Sequence, residues 1–421
     1  MSATDARRLL TSLFDAAVAA AHPNVCLPPH LPPPPTGRIV VVGAGKGAAA
    51  MAAVVEAHWQ DRRADIGGVV VVPDGYVVRT RAIDVVEASH PLPDKRSVAA
   101  GRRVLAAVSG ARPGDLVLCL LSGGASSVLT VPAPGVTLED KRRITGKLLR
   151  AGGAIGEINT VRKHLSAIKG GRLAATAGSA RVATLAISDV VGDDPATIGS
   201  GPTAADPTTC ADALAILARY EAEISDDIAR ALRDGRLETP KELPQSHTLQ
   251  IVARPQDGLA VAANLARRHG LAVVDLGDSV EGEARTVAQV QANLARRIAA
   301  GDGPVARPCL IISGGEATVR VQGRGRGGPN TEYALALTLA LAGTSGISAL
   351  AADSDGCDGK ATAAGAFVMA DTLARAGRLG LDPMVALEAN DSATFFDRLG
   401  DLFVTGPTFT NLNDIRLILV S

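Results

Sequence analysis

Residues 116–121, LVLCLL, form an apolar run that stops at Ser122-Gly123-Gly124-Ala125-Ser126-Ser127. A short, unbroken apolar run bounded by turn residues predicts a strand buried on both faces, and hence a parallel sheet with helices over it. The small side chains that follow let backbone amides approach a ligand. In open α/β sheets, ligands bind at the carboxyl ends of strands. Residues 309–318, CLIISGGEAT, repeat the pattern. Two half-sites are therefore expected, one with Ser122, Gly123, Gly124 and Ser126, the other with Ser313, Gly314, Gly315 and Glu316. The competing reading, two tight turns, weakens when the same turn follows the same kind of strand twice.

The rest of the chain supports that fold class. Strands are expected at 38–42, 68–72, 83–88, 116–121 and 182–187, with helices between them, which is a doubly wound α/β pattern. A second α/β pattern is expected from His247, with strands near 248–253, 271–276, 308–312, 317–321, 347–352, 402 and 415. A length of 421 residues exceeds one ordinary core. Two domains, 1–240 and 247–421, follow, joined at the charged, Pro-containing stretch 238–246, with room for the last strands to pack back on the first domain. The Pro-rich stretch 23–35 is expected to be a surface connection without helix.

Charge and composition exclude several classes. With 43 basic and 43 acidic residues, nothing favours a nucleic-acid or acidic-membrane partner. Aromatics at 2% leave no base-stacking platform. The five cysteines, Cys26, Cys119, Cys210, Cys309 and Cys357, are scattered without CxxC spacing, as in a reducing, cytoplasmic setting. The N-terminal 20 or so residues read as an amphipathic helix and not as a signal peptide, and no run reaches the ~18 apolar residues of a membrane span. A small-molecule substrate is expected, and the oligomeric state is left open between monomer and homodimer.

Gly43-Ala44-Gly45-Lys46-Gly47-Ala48 fits the dinucleotide pattern G-x-G-x-x-[GA]. That fingerprint also needs an acid on the ribose at the end of the next strand. The first acid there is Asp74, too distant and behind Pro73. Lys46 instead suits phosphate charge on a Gly-rich turn before a helix, and no Walker A pattern exists in the chain. The alternative is a plain strand-to-helix turn with an exposed lysine. Residues 188–195 hold Asp189, Asp193 and Asp194, and residues 353–359 hold Asp353, Asp355 and Asp358. Such carboxylates repel unless a cation joins them, and Mg²⁺ is bound by one or two of them with phosphates and water. Asp189, Asp193, Asp353 and Asp355 are the candidate ligands, set against structural Asp–Gly turns. Arg324 and Arg326 lie in a Gly-rich loop, expected to be flexible, ahead of a helix beginning at Asn330; arginine matches phosphate oxygens in pairs. Arg162, Lys163, His164, Lys169 and Arg172 form a basic segment that is either a charged helix face or a seat for an anionic small molecule. Amide cradle, cations and metal ligands are the parts of phosphoryl transfer, with ATP and Mg²⁺ as cofactors.

Taken together, GAGKGAAAMA, SHPLPD, LLSGGASS, VRKHLSAIKGGRLA, ISDVVGDDPATIGSGPT, ISGGEATV, RGGPNTEYAL, DSDGCDG and TGPTFTNLNDIRL resemble the glycerate 2-kinase family, the class II type ending in a MOFRL domain. The resemblance runs from about residue 5 to 417. It implies a Rossmann-like three-layer large domain and a smaller α/β domain, with the active site in the cleft between them. It also implies transfer of the ATP γ-phosphoryl group to the 2-hydroxyl of D-glycerate. By the same resemblance Lys46, Asp189 and Arg326 form the catalytic core, while Ser122, Gly123 and Gly124 contact phosphate or nucleotide. The chain departs from the family at Pro329, where a basic residue is common, so Arg326 or Arg324 must supply that charge. Members often carry the label hydroxypyruvate reductase; an NAD(P)H-dependent reductase and a nucleotide-sensing protein are the rival readings.

Overall fold

The computed structural model describes residues 2–244, 246–342 and 344–421. The chain divides into an N-terminal unit, Pro23–Val252, and a C-terminal unit, Ala253–Ser421 with Met1–His22. The second of these contains helix α1 (Ala3–Ala20).

In the N-terminal unit, β1 (Ile39–Ala44), β2 (Ile66–Pro73), β3 (Ile83–Ala88), β4 (Leu116–Leu121), β5 (Arg181–Ile187) and β6 (Thr248–Ala253) form one sheet, ordered β3-β2-β1-β4-β5-β6. The pairings from β3 through to β5 are parallel. Every residue of β1 and β4 is buried, as expected where both faces are covered. The strand expected to open the second pattern, 248–253, instead closes this first sheet. Its alternating exposure suits an edge position.

The helices of this unit are α2 (Pro23–Cys26), α3 (Ala48–His58), α4 (Lys95–Ser109), α5 (Ala125–Val128), α6 (Leu138–Arg150), α7 (Ile155–His164), α8 (Arg172–Thr176), α9 (Cys210–Arg219) and α10 (Asp226–Arg233). The stretch 23–35 does hold a helix, against expectation: Pro23 takes the first helical position of α2, where its missing N–H is no loss. α4 begins at Asp94, whose Oδ1 accepts from Ser97 N while Ser97 Oγ accepts from Asp94 N. It lays Ala100, Val104 and Val108 on the β-sheet face carrying Val40, Val42, Val69 and Val71. α6, α7, α9 and α10 share a separate core that includes Ile144, Leu148, Ile158, Ile216 and Leu232.

The C-terminal unit contains α11 (Pro255–Arg268), β7 (Ala272–Asp275), β8 (Gly282–Glu283), α12 (Ala284–Ala300), β9 (Cys309–Gly315), β10 (Ala317–Thr318), α13 (Pro329–Ala340), β11 (Ile347–Asp353) and β12 (Gly365–Val368). The short α14 (Thr372–Arg378), α15 (Pro383–Glu388) and α16 (Ser392–Leu399), then β13 (Leu402–Phe403) and β14 (Asp414–Val420), complete it. Its main sheet runs β13-β12-β11-β14-β9-β7. Only β7–β9 is parallel there; β9–β14, β14–β11, β11–β12 and β12–β13 are antiparallel. The final strand therefore lies in the middle of this second sheet and not on the first.

Period-two alternation splits β9 and β14 between two cores. Leu310, Ile312, Leu417 and Leu419 face one side with α1 residues Leu10, Leu13 and Phe14. Cys309, Ile311, Ile418 and Val420 face the other with α12 and α13. α1 is held there further by Arg7, which pairs with buried Asp401 and stacks over Phe367. Phe14 meets Phe403 edge-on at 5.0 Å. The first helix in sequence thus completes the last unit.

Phe14→Ala should destabilise the protein by about 3–5 kcal/mol, the usual cost of emptying a buried aromatic site. Hydrogen exchange should accelerate in β9 and β14 peptides and stay unchanged in β1 and β4. Acceleration in β1 and β4 instead would contradict this assignment of α1.

Candidate active site at the strand ends of the N-terminal unit

The strand order reverses between β1 and β4, and at such a switch point adjacent loops diverge and leave a crevice at the carboxyl ends. The two loops here are stitched together. Lys46 N donates to Gly123 O at 2.8 Å, and Ser122 N donates to Ala44 O at 3.1 Å. Gly47 N donates to Ser122 Oγ at 2.8 Å. The approach is so close that a Cβ on Gly45, which has φ +119°, would stand 2.3 Å from Ser122 O. Gly45 therefore serves the docking of β1 on β4, as does Gly43, whose Cβ would stand 2.2 Å from Leu120 O. Ser122 is buried with its hydroxyl turned inward to Gly47.

Two amides remain. Among the described residues, Gly123 and Gly124 donate their N–H groups to nothing in the chain. Side chains crowd the same spot: a Cβ on Gly124 (φ +82°) would lie 3.2 Å from His90 Nε2 and 3.7 Å from Lys46 Cγ. The Lys46 chain and an imidazole thus flank two open amides, a setting that can hold an anion. The sequence reading did not single out His90 as a site residue. Its signal was the polar turn SHPLPD after β3, which reaches Gly124 only through the fold.

Asp189 follows β5, which pairs with β4 in register Leu121↔Ala186, so its loop is the next one along the same edge. It is half-buried. Beyond it, Asp194 accepts from Ala196 N and Thr197 Oγ1. The long loop that follows is tied down where Gly170 N and Gly171 N donate to Ser200 O and Gly201 O. Ser126, in α5, shares a 2.7 Å hydroxyl contact with Ser200. Asp74, just past β2, is paired at both oxygens with Arg96 at 2.7 and 2.9 Å.

The C-terminal unit treats the second Ser-Gly-Gly differently. Ser313, Gly314 and Gly315 lie inside β9, paired with Arg416, Ile415 and Asp414 of β14. Ser313 Oγ accepts from Gln291 Nε2, whose Oε1 accepts from Tyr333 OH. The echo of the first loop is thus strand, because an antiparallel neighbour carries the ladder through both glycines. Glu316 follows directly. Asn330 is 1% exposed, its N on Asp358 and its Nδ2 on Asp414 at 2.6 Å. Asp358 accepts further from Thr331 N and Oγ1; burial, with the charge of Asp414 adding, pushes its carboxyl up to about 6. Asp353 Oδ1 accepts from Asp355 N, and Asp355 Oδ1 from Cys357 N, so both shape their own loop.

The arginine loop is not the flexible segment expected. Asn390 Oδ1 accepts from Gln322 N and Gly323 N, Gly325 N donates to Ala389 O, and Arg326 N donates to Asp391 Oδ1. Arg326 keeps a half-exposed side chain, paired at 3.1 Å with the equally exposed Asp397. Such a surface pair is weak. Arg324 is exposed.

One cluster has metal-ligand chemistry without a spacing motif. His164, Cys210 and Glu238 place ligand atoms within 4.8 Å of one another. Glu238 already accepts from Cys210 N, Thr239 N and Lys241 Nζ. Burial opposes its ionisation, but these bonds and that from His164 outweigh it and pull the carboxyl down to about 2. Burial and the Glu238 charge push the Cys210 thiol up to about 11. This is a clamp joining α7, α9 and the segment after α10. The five cysteines are thiols and form no disulfide, four of them buried.

Comparisons with known proteins agree with this architecture. The model described as domain of unknown function DUF4147 matches residues 9–233, and the MOFRL family model matches 309–414. A protein of Agrobacterium vitis, provisionally named hydroxypyruvate reductase, is 51% identical over 99% of this chain and 94% of its own. The D-glycerate 2-kinase of Thermotoga maritima is 37% identical over 98% of each chain. The crystal structure of a glycerate kinase from the same organism superposes with a TM-score of 0.89, at 36% identity, over 99% of this chain and 100% of that one.

Two outcomes test the site's construction. Gly45→Ala should cost at least about 1–3 kcal/mol, the range for an αL-type strain, and more if the Ser122 loop is pushed aside; a urea midpoint equal to that of the unmodified protein would show that the stitch is dispensable. Lys141 is buried, donating to Arg162 O and Leu165 O. Burial, then the charges of Arg162 and Arg172, lower it from 10.5 to about 7. Between those values the unfolded chain holds a proton that the folded one lacks, so this group's contribution to stability rises with pH from 7 to 10.5. Lys141→Met removes that gradient, so the unmodified protein's urea midpoint should rise relative to the variant's from pH 7 to about pH 9; parallel midpoints would show Lys141 charged in the fold.

Proposed function

The chain belongs to the glycerate 2-kinase family of the MOFRL type, and from that membership we propose that it transfers the γ-phosphoryl group of ATP to the 2-hydroxyl of D-glycerate, giving 2-phosphoglycerate. The observation that carries the reading is the meeting of the Lys46 side chain with the open amides of Gly123 and Gly124, one strand away from Asp189. The phosphoryl group is metaphosphate-like in transfer, so the protein mainly positions it and answers its charge. In this reading the Gly123 and Gly124 amides donate to phosphate oxygens, and the Lys46 ammonium neutralises charge as the bond to the leaving ADP breaks. Asp189 orients the 2-hydroxyl and takes its proton as the oxygen attacks in line. Arg326 is the cation proposed from the C-terminal unit, favoured over Arg324 because its backbone is fixed on Asp391.

We assign a Mg²⁺ ion to the segment after β5, because that loop is the next one along the edge that carries the Gly123 and Gly124 amides; in the 353–359 loop Asp353 and Asp355 accept backbone N–H groups of their own turns. Asp189 and Asp193 would hold it. When bound it supplies charge neutralisation on the ATP phosphates. The reductase reading finds no support in Asp74, which stands behind Pro73 and is engaged by Arg96. No helix among the described residues is long and apolar enough to cross a membrane. The thiol state of the five cysteines suits the cytoplasm, which we take as the site of action.

The test is a coupled assay with D-glycerate and ATP–Mg²⁺, followed by hydroxypyruvate with NAD(P)H. ATP-dependent formation of 2-phosphoglycerate is expected; reduction without ATP consumption would overturn the kinase reading. Lys46→Ala should lower kcat by roughly 10²–10³-fold, as for other preorganised charge stabilisers, with a much smaller change in ATP binding. Asp189→Asn should abolish turnover. A near-normal kcat for Lys46→Ala would mean that the phosphoryl group is held elsewhere.

A further inference from the structure

The basic segment 161–172 separates into two kinds of cation. Lys163 pairs with Asp206 at 3.2 Å, and His164 faces Glu238 at 3.2 Å. Arg172 holds the carbonyls of Lys163, Ser166 and Leu237. Those three are accounted for within the fold. Lys169 and Arg162 are not: among the described residues neither meets a carboxylate.

Lys169 is 2% exposed. Its Nζ donates to Ser126 O at 2.8 Å, Gly199 O at 3.2 Å and Ser126 Oγ at 3.3 Å. These acceptors are neutral. Burial, followed by the nearby basic groups Lys141 and Arg162, drives its ammonium well below the ordinary lysine range. Burying charge without a counter-charge is costly. Arg162 is mostly buried and reaches only Asn159 Oδ1, at 3.4 Å. That same oxygen lies 3.3 Å from Ser200 Oγ, which contacts Ser126 Oγ. Ser200 has φ +63° between Gly199 at +59° and Gly201 at +58°, three successive left-handed residues that turn its hydroxyl into this cluster. Ser126 and Arg162 are half-buried, so an anion has a way in.

We propose that Lys169, Arg162, Asn159, Ser126 and Ser200 form the subsite for the carboxylate of the phosphoryl acceptor. The inference rests on the kinase reading above and adds to it the part of the site that recognises the acid. Two arguments select the carboxylate. A 2-hydroxy acid carries it on the carbon next to the reacting hydroxyl, so it must lie beside the phosphoryl cradle, and Ser126 is two residues past Gly124. The cluster also offers the Arg162 guanidinium without a carboxylate partner and a buried lysine whose charged form is disfavoured until an anion arrives, beside hydroxyl and amide groups, a set that an anion completes and a neutral polyol does not.

The test measures D-glycerate binding by calorimetry and steady-state kinetics in the unmodified protein, Arg162→Gln, Arg162→Lys and Lys169→Met. Arg162→Gln should weaken glycerate binding and raise its KM by about 10- to 100-fold, as expected for a lost charge-assisted bond, with the KM for ATP within about twofold. Arg162→Lys should recover part of that loss. Lys169→Met should act in the same direction; if it fails to fold, Arg162→Gln alone decides. Unchanged glycerate affinity in Arg162→Gln, or equal rises in both KM values, overturns the subsite and leaves the kinase reading intact. Arg162-dependent glycerate binding without phosphorylation in the unmodified protein overturns the kinase reading and keeps the subsite. No glycerate binding by the unmodified protein overturns both.

Discussion

The candidate site depends on the contact between the loop after β1 and the loop after β4. Three hydrogen bonds join them, from Lys46 N, Gly47 N and Ser122 N, and glycines at 43 and 45 let the strands come close enough. The bonds use up the amides that a dinucleotide loop would present and leave open those of Gly123 and Gly124. A G-x-G-x-x-[GA] string can thus end as a packing device, with the ligand-facing amides one strand over. The same contact aims the Lys46 side chain across Gly124, so charge and amides reach one place without a Walker A loop.

The second Ser-Gly-Gly shows how strongly the neighbouring strand decides the fate of a local motif. After β4 there is no antiparallel partner to continue the ladder, and the chain turns. In β9 the partner is β14, and pairing runs to Gly315 against Asp414. The freed carbonyl and hydroxyl groups go to an interior network: Arg416 bonds Gly314 O and Asp414, and Tyr333 OH bonds Gln291, which bonds Ser313.

Much of the fold was legible because its signals are local. The strands at 83–88 and 116–121 agree with the sequence reading at both ends, and the other strands of the first sheet are close. Non-local pairing was not legible. Nothing in 248–253 says that it closes the first sheet, and nothing in α1 says that Leu10, Leu13 and Phe14 belong under β14. The site divided along the same line. The loops that carry Lys46 and Gly123-Gly124 are legible from spacing, since loops at strand ends are local. The inward turn of Ser122, the burial of Asn330 between Asp358 and Asp414, and the arrival of His90 at Gly124 needed the tertiary structure. In the arginine loop glycine content does not mean freedom: at Gly323 and Gly325 it permits close approach to Ala389 and Asp391.

Buried charge separates the two units' interiors further. In the C-terminal unit Asp358 is surrounded by N–H and O–H donors, yet burial still pushes it up to about 6. Hydrogen bonds to dipoles there do not match what water supplies. Lys169 is the mirror image, an ammonium bonded to carbonyl and hydroxyl oxygens and driven down by burial. The difference lies in what surrounds each group. Asp358 sits under the first turn of α13, 1% exposed, and its donors belong to the helix it caps, so its work is done inside the fold. Lys169 sits behind Ser126, which is half-exposed and next to the open amides, with a second cation beside it. A buried acid that caps a helix needs no further partner; a half-buried guanidinium without a carboxylate and a buried lysine held from its charge are a pair that an arriving anion would complete.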